Sequence, residues 1–362
     1  MQLLPQKKEF TQSPLFLISP FFFLGTAMVV MKFILPHTTP LFLAAFRLLP
    51  AGLLLLLVAA LLKLPQPKTW QAWLWISVFA LIDGAMFQGF LTTGLVHTGA
   101  GLGAVLIDAQ PLVVALLSRM LFSEFIGVWG WLGLAIGMVG ICLCGLPADW
   151  VYGFFQNAGI SLPFATQTLL ESGEPLMAAQ PAVASGFSWQ NLLHSGELLM
   201  LLAALAMSFG TVIVRYVKQH ADPIVATGWH MILGGLPLIL LSFLWENQQI
   251  TYLNAGDWAG LGYATVFGTA ITYGIFFYLA AAGNITSVSA LIFLTPVFAL
   301  LFSLFFLGEQ LTELQWIGVM LTLISVYLVN QREEIARKFT RSAVDGAIAG
   351  MEVAEPVPDR EA

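Results

Sequence analysis

Apolar stretches long enough to cross a hydrocarbon core, about 20 residues for about 30 Å, recur along this chain with short polar breaks between them. The pattern predicts ten membrane-spanning helices, at 15–36, 40–62, 70–93, 98–121, 125–146, 196–217, 223–245, 257–280, 283–307 and 311–330. Several carry internal Gly and Pro, which bilayer helices tolerate where neighbouring helices satisfy the freed backbone groups. None alternates polar and apolar residues over about ten positions, so a membrane β-barrel is excluded. The polar start, 1–14, places Lys7 and Lys8 before the first apolar run. That run is longer than a signal-peptide core and lacks a small-residue cleavage site, so it reads as a retained span.

The ten spans fall into two sets of five with the same landmarks. Pro111 and Glu124 recur 185 residues later as Pro296 and Glu309, as do Trp73, Trp131 and Gly133 as Trp258, Trp316 and Gly318. Nearer the start of each set the interval is 183 residues, relating Lys32 to Arg215, His37 to His220, Pro40 to Pro223 and Gly52 to Gly235. An odd number of spans per copy forces the copies into opposite orientations, and such inverted repeats are the pattern of alternating-access carriers. The expected fold is therefore all-α and polytopic, ten transmembrane helices in two inverted five-helix repeats. Its divisions are a cytoplasmic start (1–14), repeat one (15–146), an exterior linker loop (147–195), repeat two (196–330) and a cytoplasmic tail (331–362).

Lys and Arg accumulate on the cytoplasmic side of membrane proteins. With the N-terminus inside, Lys7, Lys8, Lys63, Lys68, Arg119, Arg215, Lys218 and the basic residues of the tail all fall inside, and Lys32 falls outside. The linker 147–195 contains no Lys or Arg. Both termini are thus expected in the cytoplasm, with the chain in the inner or plasma membrane.

Composition agrees and narrows the function. Hydrophobic residues make up 58% of the chain and charged ones 9%, against about a quarter charged in soluble domains, so lipid is the solvent for most of the surface. The net charge of −6 comes largely from loops and tail, which points away from nucleic acid. Cys142 and Cys144 lie two apart in an apolar run and would point about 200° apart on one helix, which suits packing rather than a disulfide or metal pair. The glycines Gly99, Gly101 and Gly103 lie at a helix start without a P-loop Lys, so ATP is not the expected energy source, and no cofactor, metal or enzymatic constellation is expected.

The repeated blocks GAVLIDAQPLVVALLSRMLFSEFIGVWGWLG and SALIFLTPVFALLFSLFFLGEQLTELQWIG carry a resemblance. With Pro111 and Glu124 in one and Pro296, Gly308 and Glu309 in the other, and Arg47 early in span two, the chain resembles the ten-span EamA-type members of the drug/metabolite transporter superfamily. Copy one departs from the family pattern in Ser123 before the acid and in Asp108-Ala109-Gln110 before the proline. The resemblance implies secondary transport, often export, of small polar metabolites.

Charged groups inside the spans are the candidates for that work. An Asp, Lys or Arg at a helix centre costs about 2.5–3.5 kcal/mol on insertion scales and so faces a cavity or a partner. Asp83 and Asp108 lie near the middles of spans three and four, and their equivalents in copy two are Gly268 and Phe293. Each is either a protonatable carboxylate or a link between helices. Asp108 shares a small-residue face with Gly101, Ala104, Pro111 and Ala115, with Gln110 nearby. Pro111 and Pro296 are expected to bend their helices or to expose carbonyls to a ligand. Arg47 either holds a substrate carboxylate in a bidentate pair, neutralises Asp83 or Asp108, or snorkels. His230 is its repeat equivalent and either shuttles protons or serves as an interhelical hydrogen bond. Trp229 and Tyr273, with Thr269 and Thr272, offer stacking and hydroxyls to a ligand or pack the core. Glu124 and Glu309 are expected to stabilise the starts of spans five and ten, and Lys32, His37, His97, His194 and His220 to lie on solvated faces.

The expected function is a secondary active transporter, an exporter of a small polar or amphipathic metabolite, with proton coupling motivated by Asp83, Asp108 and Arg47. An uncoupled facilitator or a lipid-linked carrier flippase is the alternative within transport, and a non-transporting scaffold or receptor the alternative of another class. The implied partners are the metabolite, membrane lipid and protons; nothing in the pattern specifies an oligomer.

Overall fold

The computed structural model describes residues 14–122, 127–145, 195–275, 294–331 and 334. Helix forms at each of the ten predicted places. These are α1 (Pro14–Ile34), α2 (Pro40–Leu61), α3 (Trp70–His97), α4 (Ala100–Ile107 and Gln110–Phe122), α5 (Val128–Gly145), α6 (Gly196–Val217), α7 (Pro223–Trp245), α8 (Ala255–Thr265, running on through Val266–Ile271), α9 (Leu294–Phe302, running on through Ser303–Leu307) and α10 (Glu313–Asn330). Among the described residues six helices are long and apolar enough to cross a membrane, and α5, α9 and α10 are shorter apolar helices. Glu124, His194, the linker and most of the tail lie outside the described residues.

Local sequence sets the starts. Pro40 and Pro223 open α2 and α7 at the position where a missing N–H costs nothing. Thr69, Ser195 and Asp222 accept hydrogen bonds from the first-turn amides of α3, α6 and α7. Asn254 with Asp257 and Thr312 with Gln315 close reciprocal capping boxes on α8 and α10.

Burial then shows what the helices pack against. Within the best apolar window of each long span only 44–62% is buried inside the protein. The remainder includes Leu53, Leu57, Leu61, Leu240, Phe243, Phe305 and Phe306, all large, apolar and exposed. Such a surface is stable only in hydrocarbon, and the chain is an all-α polytopic membrane protein. Cys142 is exposed on α5, not packed as the sequence suggested.

Repeat-equivalent helices pack on each other, α2 on α7 and α5 on α10. Two further sets of contacts between the halves exchange in the same way: α6 lies on α3 and α4, and α1 on α8 and α9. The seam between α5 and α10 repeats this at single residues. Gly137 faces Ser325 and Gly140 faces Thr322, and the 185-residue relation carries Gly137 to Thr322 and Gly140 to Ser325. The same two positions meet across the seam in both directions, with glycine at both in the first copy and a hydroxyl at both in the second. A two-fold relation between the halves generates this pattern.

At one end of the bundle the charged groups are consumed in closing helix termini. Lys32 donates to the carbonyls of Leu95 (2.7 Å) and Val96 (3.2 Å) at the last turn of α3. The Glu309 carboxylate accepts from the amides of Ala100 (2.8 Å) and Gly101 (3.2 Å), so it caps α4 of the other half and not α10, the helix that follows it. The chain enters α10 through the capping box, which leaves Glu309 free to reach across. His37 is likewise engaged, with Asp257 at 3.1 Å, and Glu246 caps α2 through Leu41 and Phe42.

A methyl group added at Gly140 would meet the Thr322 hydroxyl at 2.6 Å and the Gly318 carbonyl oxygen at 2.9 Å, whereas Gly262 has nothing within 4 Å. Gly140→Ala is expected to destabilise the detergent-solubilised protein by about 1–3 kcal/mol, and Gly262→Ala to leave its melting midpoint unchanged or raised. Thermal unfolding followed by tryptophan fluorescence checks the difference.

Candidate functional site

The middle of α3 is wound as a π-helical stretch, Ala80–Phe87, between two α-helical segments, and such stretches concentrate at functional sites. Its counterpart in copy two, Val266–Ile271 of α8, is π-helical as well. The wider turn carries Asp83 toward α6 and α7. Gly84 lies so close to α7 that an added methyl would come within 2.9 Å of the Gly234 Cα and the His230 carbonyl oxygen. That approach puts the Asp83 carboxylate 3.2 Å from His230 Nε2. On its other side Asp83 presses on Gly210 of α6, where a methyl would lie 2.6 Å from Oδ1. The symmetric contact in the other half is Gly268 against Ala27. The acid in one copy is therefore matched by a glycine, and the glycine in the other by an alanine.

His230 is held on three sides. Its ring stacks on Phe79 with centroids 4.1 Å apart, and its Nδ1 lies 2.7 Å from the Thr227 carbonyl oxygen. A carbonyl only accepts, so Nδ1 carries a hydrogen. The contact between Nε2 and Asp83 then needs one further proton, either on the imidazole or on the carboxyl. Without it, two lone pairs face each other. The pair bridges α3 of the first half to α7 of the second.

A second polar cluster surrounds Arg47. One terminal nitrogen of its guanidinium donates to the Gln88 side-chain oxygen, and the other lies 2.8 Å from the Met31 sulfur. Gln88 in turn donates through Nε2 to the Tyr273 hydroxyl at 3.2 Å. Gln88 and Tyr273 are 185 residues apart, so each contacts its own repeat equivalent, and the axis relating the halves runs between them. Both clusters are sealed by packing, with Arg47, Asp83, Gln88 and His230 between 1% and 5% exposed. An open apolar groove of about 430 Å³ lies elsewhere, between α2 and α8, lined by Phe46, Pro50, Leu53, Leu57, Thr265 and neighbours.

Asp108 and Gln110 lie where α4 breaks. The helix ends at Ile107, turns through Asp108 and Ala109, and restarts at Gln110. Pro111 accounts for the break: it has no N–H to offer the Ile107 carbonyl, and its ring crowds that carbonyl. The small-residue face predicted for one continuous helix is therefore interrupted, and its Gly101 packs on Leu300 and Ser303 of α9. Asp108 keeps Oδ2 buried without a partner. Gln110 donates to Thr211 at 2.5 Å, the residue after Gly210, so α6 borders both Asp83 and the α4 break.

The structure thus joins Asp83 to His230 and Arg47 to Tyr273 through Gln88. It leaves Trp229 apart, stacked edge-on with Trp73 at 5.0 Å and donating to Gln66. Pro296 is buried near the start of the described α9. Gln88 was not singled out from the sequence, although the 185-residue relation pairs it with Tyr273, two polar residues at one mid-span position.

The EamA-like transporter family profile matches residues 12–146 and 194–331. The chain is 51% identical over 335 residues to the "Uncharacterized transporter sll0355" of Synechocystis sp., covering 92% of this chain and 94% of that one. It is 44% identical to the "WAT1-related protein At3g02690, chloroplastic" of Arabidopsis thaliana, covering 87% and 68%. It is 27% identical to "Protein PecM" of Dickeya dadantii, covering 87% and 91%. A solved crystal structure of another protein shares the fold with a TM-score of 0.54 at 15% identity, covering 89% and 98%.

Breaking a buried ion pair by removing one partner costs about 3–5 kcal/mol, and partners in contact couple by about 0.5–3 kcal/mol. Asp83→Ala and His230→Ala should each lower thermal stability, and the double variant should lose clearly less than both together. Strict additivity would show that the two side chains do not meet.

Proposed function

The chain belongs to the EamA-like transporter family, a family of membrane transporters and not of enzymes, and from that premise we propose a proton-coupled, alternating-access exporter of a small polar or amphipathic metabolite. The proposed proton site is Asp83–His230. The observation that carries this reading is the hydrogen bond from His230 Nδ1 to the Thr227 carbonyl, 2.7 Å, combined with the 3.2 Å contact from Nε2 to Asp83. Together they require one proton between a residue of each half. Removing it turns an attraction across the interface into a repulsion, which biases the packing of α3 against α7 and α6. Adding it closes the interface again.

The inverted arrangement supports the access cycle. Helix contacts between the halves exchange under the repeat relation, so a second state reached by swapping the two copies' conformations uses the same surfaces. The sealed clusters fit an occluded intermediate between outward and inward openings. The charge distribution supports cytoplasmic termini and residence in the inner or plasma membrane. One proton moving inward through a potential of 100 mV releases about 2.3 kcal/mol, enough to support roughly fiftyfold accumulation of an exported neutral solute.

Proteoliposomes presented with a cell metabolite extract test the proposal by mass spectrometry of the species accumulated under an imposed pH gradient. Accumulation should follow the gradient in the wild-type chain. Asp83→Asn should retain exchange of that species between the two sides but lose the gradient dependence. Wild-type accumulation indifferent to the gradient would remove the proton from the mechanism.

A further inference from the structure

Arg47 sits inside the bundle with its charge unanswered. Its contacts are an amide oxygen, from Gln88, and a thioether, from Met31. Its Nε is buried with no partner. Among the described residues no carboxylate lies within ion-pair distance of it. Asp83 is taken up by His230 and confined by Gly210, and Asp108 lies at the α4 break, where α6 reaches Gln110. Guanidinium does not release its proton in proteins, so Arg47 cannot become neutral as a buried Lys would. A permanent cation in the bilayer interior that lacks an anion of its own is suited to one that arrives.

The groups around Arg47 favour the same visitor. A guanidinium offers parallel N–H groups along one edge, and the geometry that matches is the two oxygens of a carboxylate. One edge here already holds a displaceable neutral oxygen, Gln88 Oε1, beside the unpartnered Nε. Gln88 Nε2 and the Tyr273 hydroxyl supply further donors. The core beside Tyr273 is apolar: Ala44, Ala45, Leu48, Ala51, Ala85 and Met231 belong to one buried cluster against which it packs. A single positive charge neutralises a single negative one, whereas a phosphate dianion would bring a second charge into this apolar setting.

We propose that the transported metabolite is a monocarboxylate with an apolar body, its carboxylate bound on the Nε edge of Arg47 in place of the Gln88 oxygen. This rests on the transporter reading and gives its substrate class. Gln88 then turns its amide to the incoming oxygens or to Tyr273. The bound acid cancels the guanidinium charge, so the loaded site crosses between openings as a neutral pair. Outward movement of the anion is also favoured by an inside-negative potential, independently of the proton on Asp83–His230.

The test uses the full chain in proteoliposomes. Species accumulated from the extract should be monocarboxylates, and 3-phenylpropanoate should compete with them while 3-phenylpropanamide, of the same shape without the charge, should not. Arg47→Lys keeps the charge but loses the fork, and it should weaken competition by 3-phenylpropanoate roughly tenfold or more with its melting midpoint near that of the wild type. Arg47→Gln should abolish competition. Chain-dependent accumulation confined to cations or neutral species, or equal competition by acid and amide, overturns the assignment and leaves the transporter reading standing. Undiminished competition in a folded Arg47→Lys or Arg47→Gln protein overturns it as well.

Discussion

Hydrocarbon offers no hydrogen bonds, so each polar group carried into the membrane must be met by another part of the same chain. Most of this structure can be read as the working out of that constraint. Asp83 finds His230 on α7, Arg47 finds Gln88 on α3, and Gln110 finds Thr211 on α6. Hydroxyls of Thr26, Thr92, Ser208 and Thr322 turn back to carbonyls one turn earlier on their own helices. The exceptions stand out for the same reason. Among charged side chains, Arg47 Nε and Asp108 Oδ2 are buried and unmatched, alongside the hydroxyls of Thr39 and Thr265 and the side-chain oxygen of Gln331.

Close approach between backbones makes those pairings reachable. Gly84 against Gly234, Gly52 against Gly228 and Gly140 against Gly318 bring helices together at spacings that a methyl group would prevent. Small-residue contact is the usual basis of helix association in lipid, where there is no hydrophobic gain from joining two apolar surfaces. The Gly140–Gly318 contact recurs with the halves exchanged, as Ser325 on the Gly133 carbonyl, and the helix pairs α2 with α7 and α5 with α10 are their own repeat equivalents. The proposed transport cycle would repack this interface in two related ways.

Chemistry enters where the two copies differ. Asp83 faces a glycine, and its counterpart Gly268 faces an alanine. Arg47 and His230 occupy equivalent positions, yet one meets an amide and the other an acid. The packing frame is common to both copies, while the charged groups are single. The proposed proton store and the proposed anion receptor therefore fall on opposite sides of the axis marked by Gln88 and Tyr273.

The order and number of helices and the duplication were legible in the chain, because each rests on local or periodic information: apolar run length and fixed intervals between landmarks. Asp83, Arg47 and His230 stood out as polar groups in apolar surroundings. Their partnerships did not. That Asp83 takes His230 and not Arg47 depends on a π-helical stretch that rotates one side chain toward α7, and on Gly210 being the surface behind it. Glu309 stands before α10, yet it serves α4 of the other half, a choice fixed by how two helices separated by some two hundred residues of chain come together. Asp108 and Gln110 looked like members of one helix until Pro111 broke it. Sequence by itself determined which residues enter the membrane and that they do so as two copies, since hydropathy and periodicity are properties of the chain alone. Tertiary structure decided which buried charge answers which, because that depends on helix rotation and close approach, and both are set only when the helices pack.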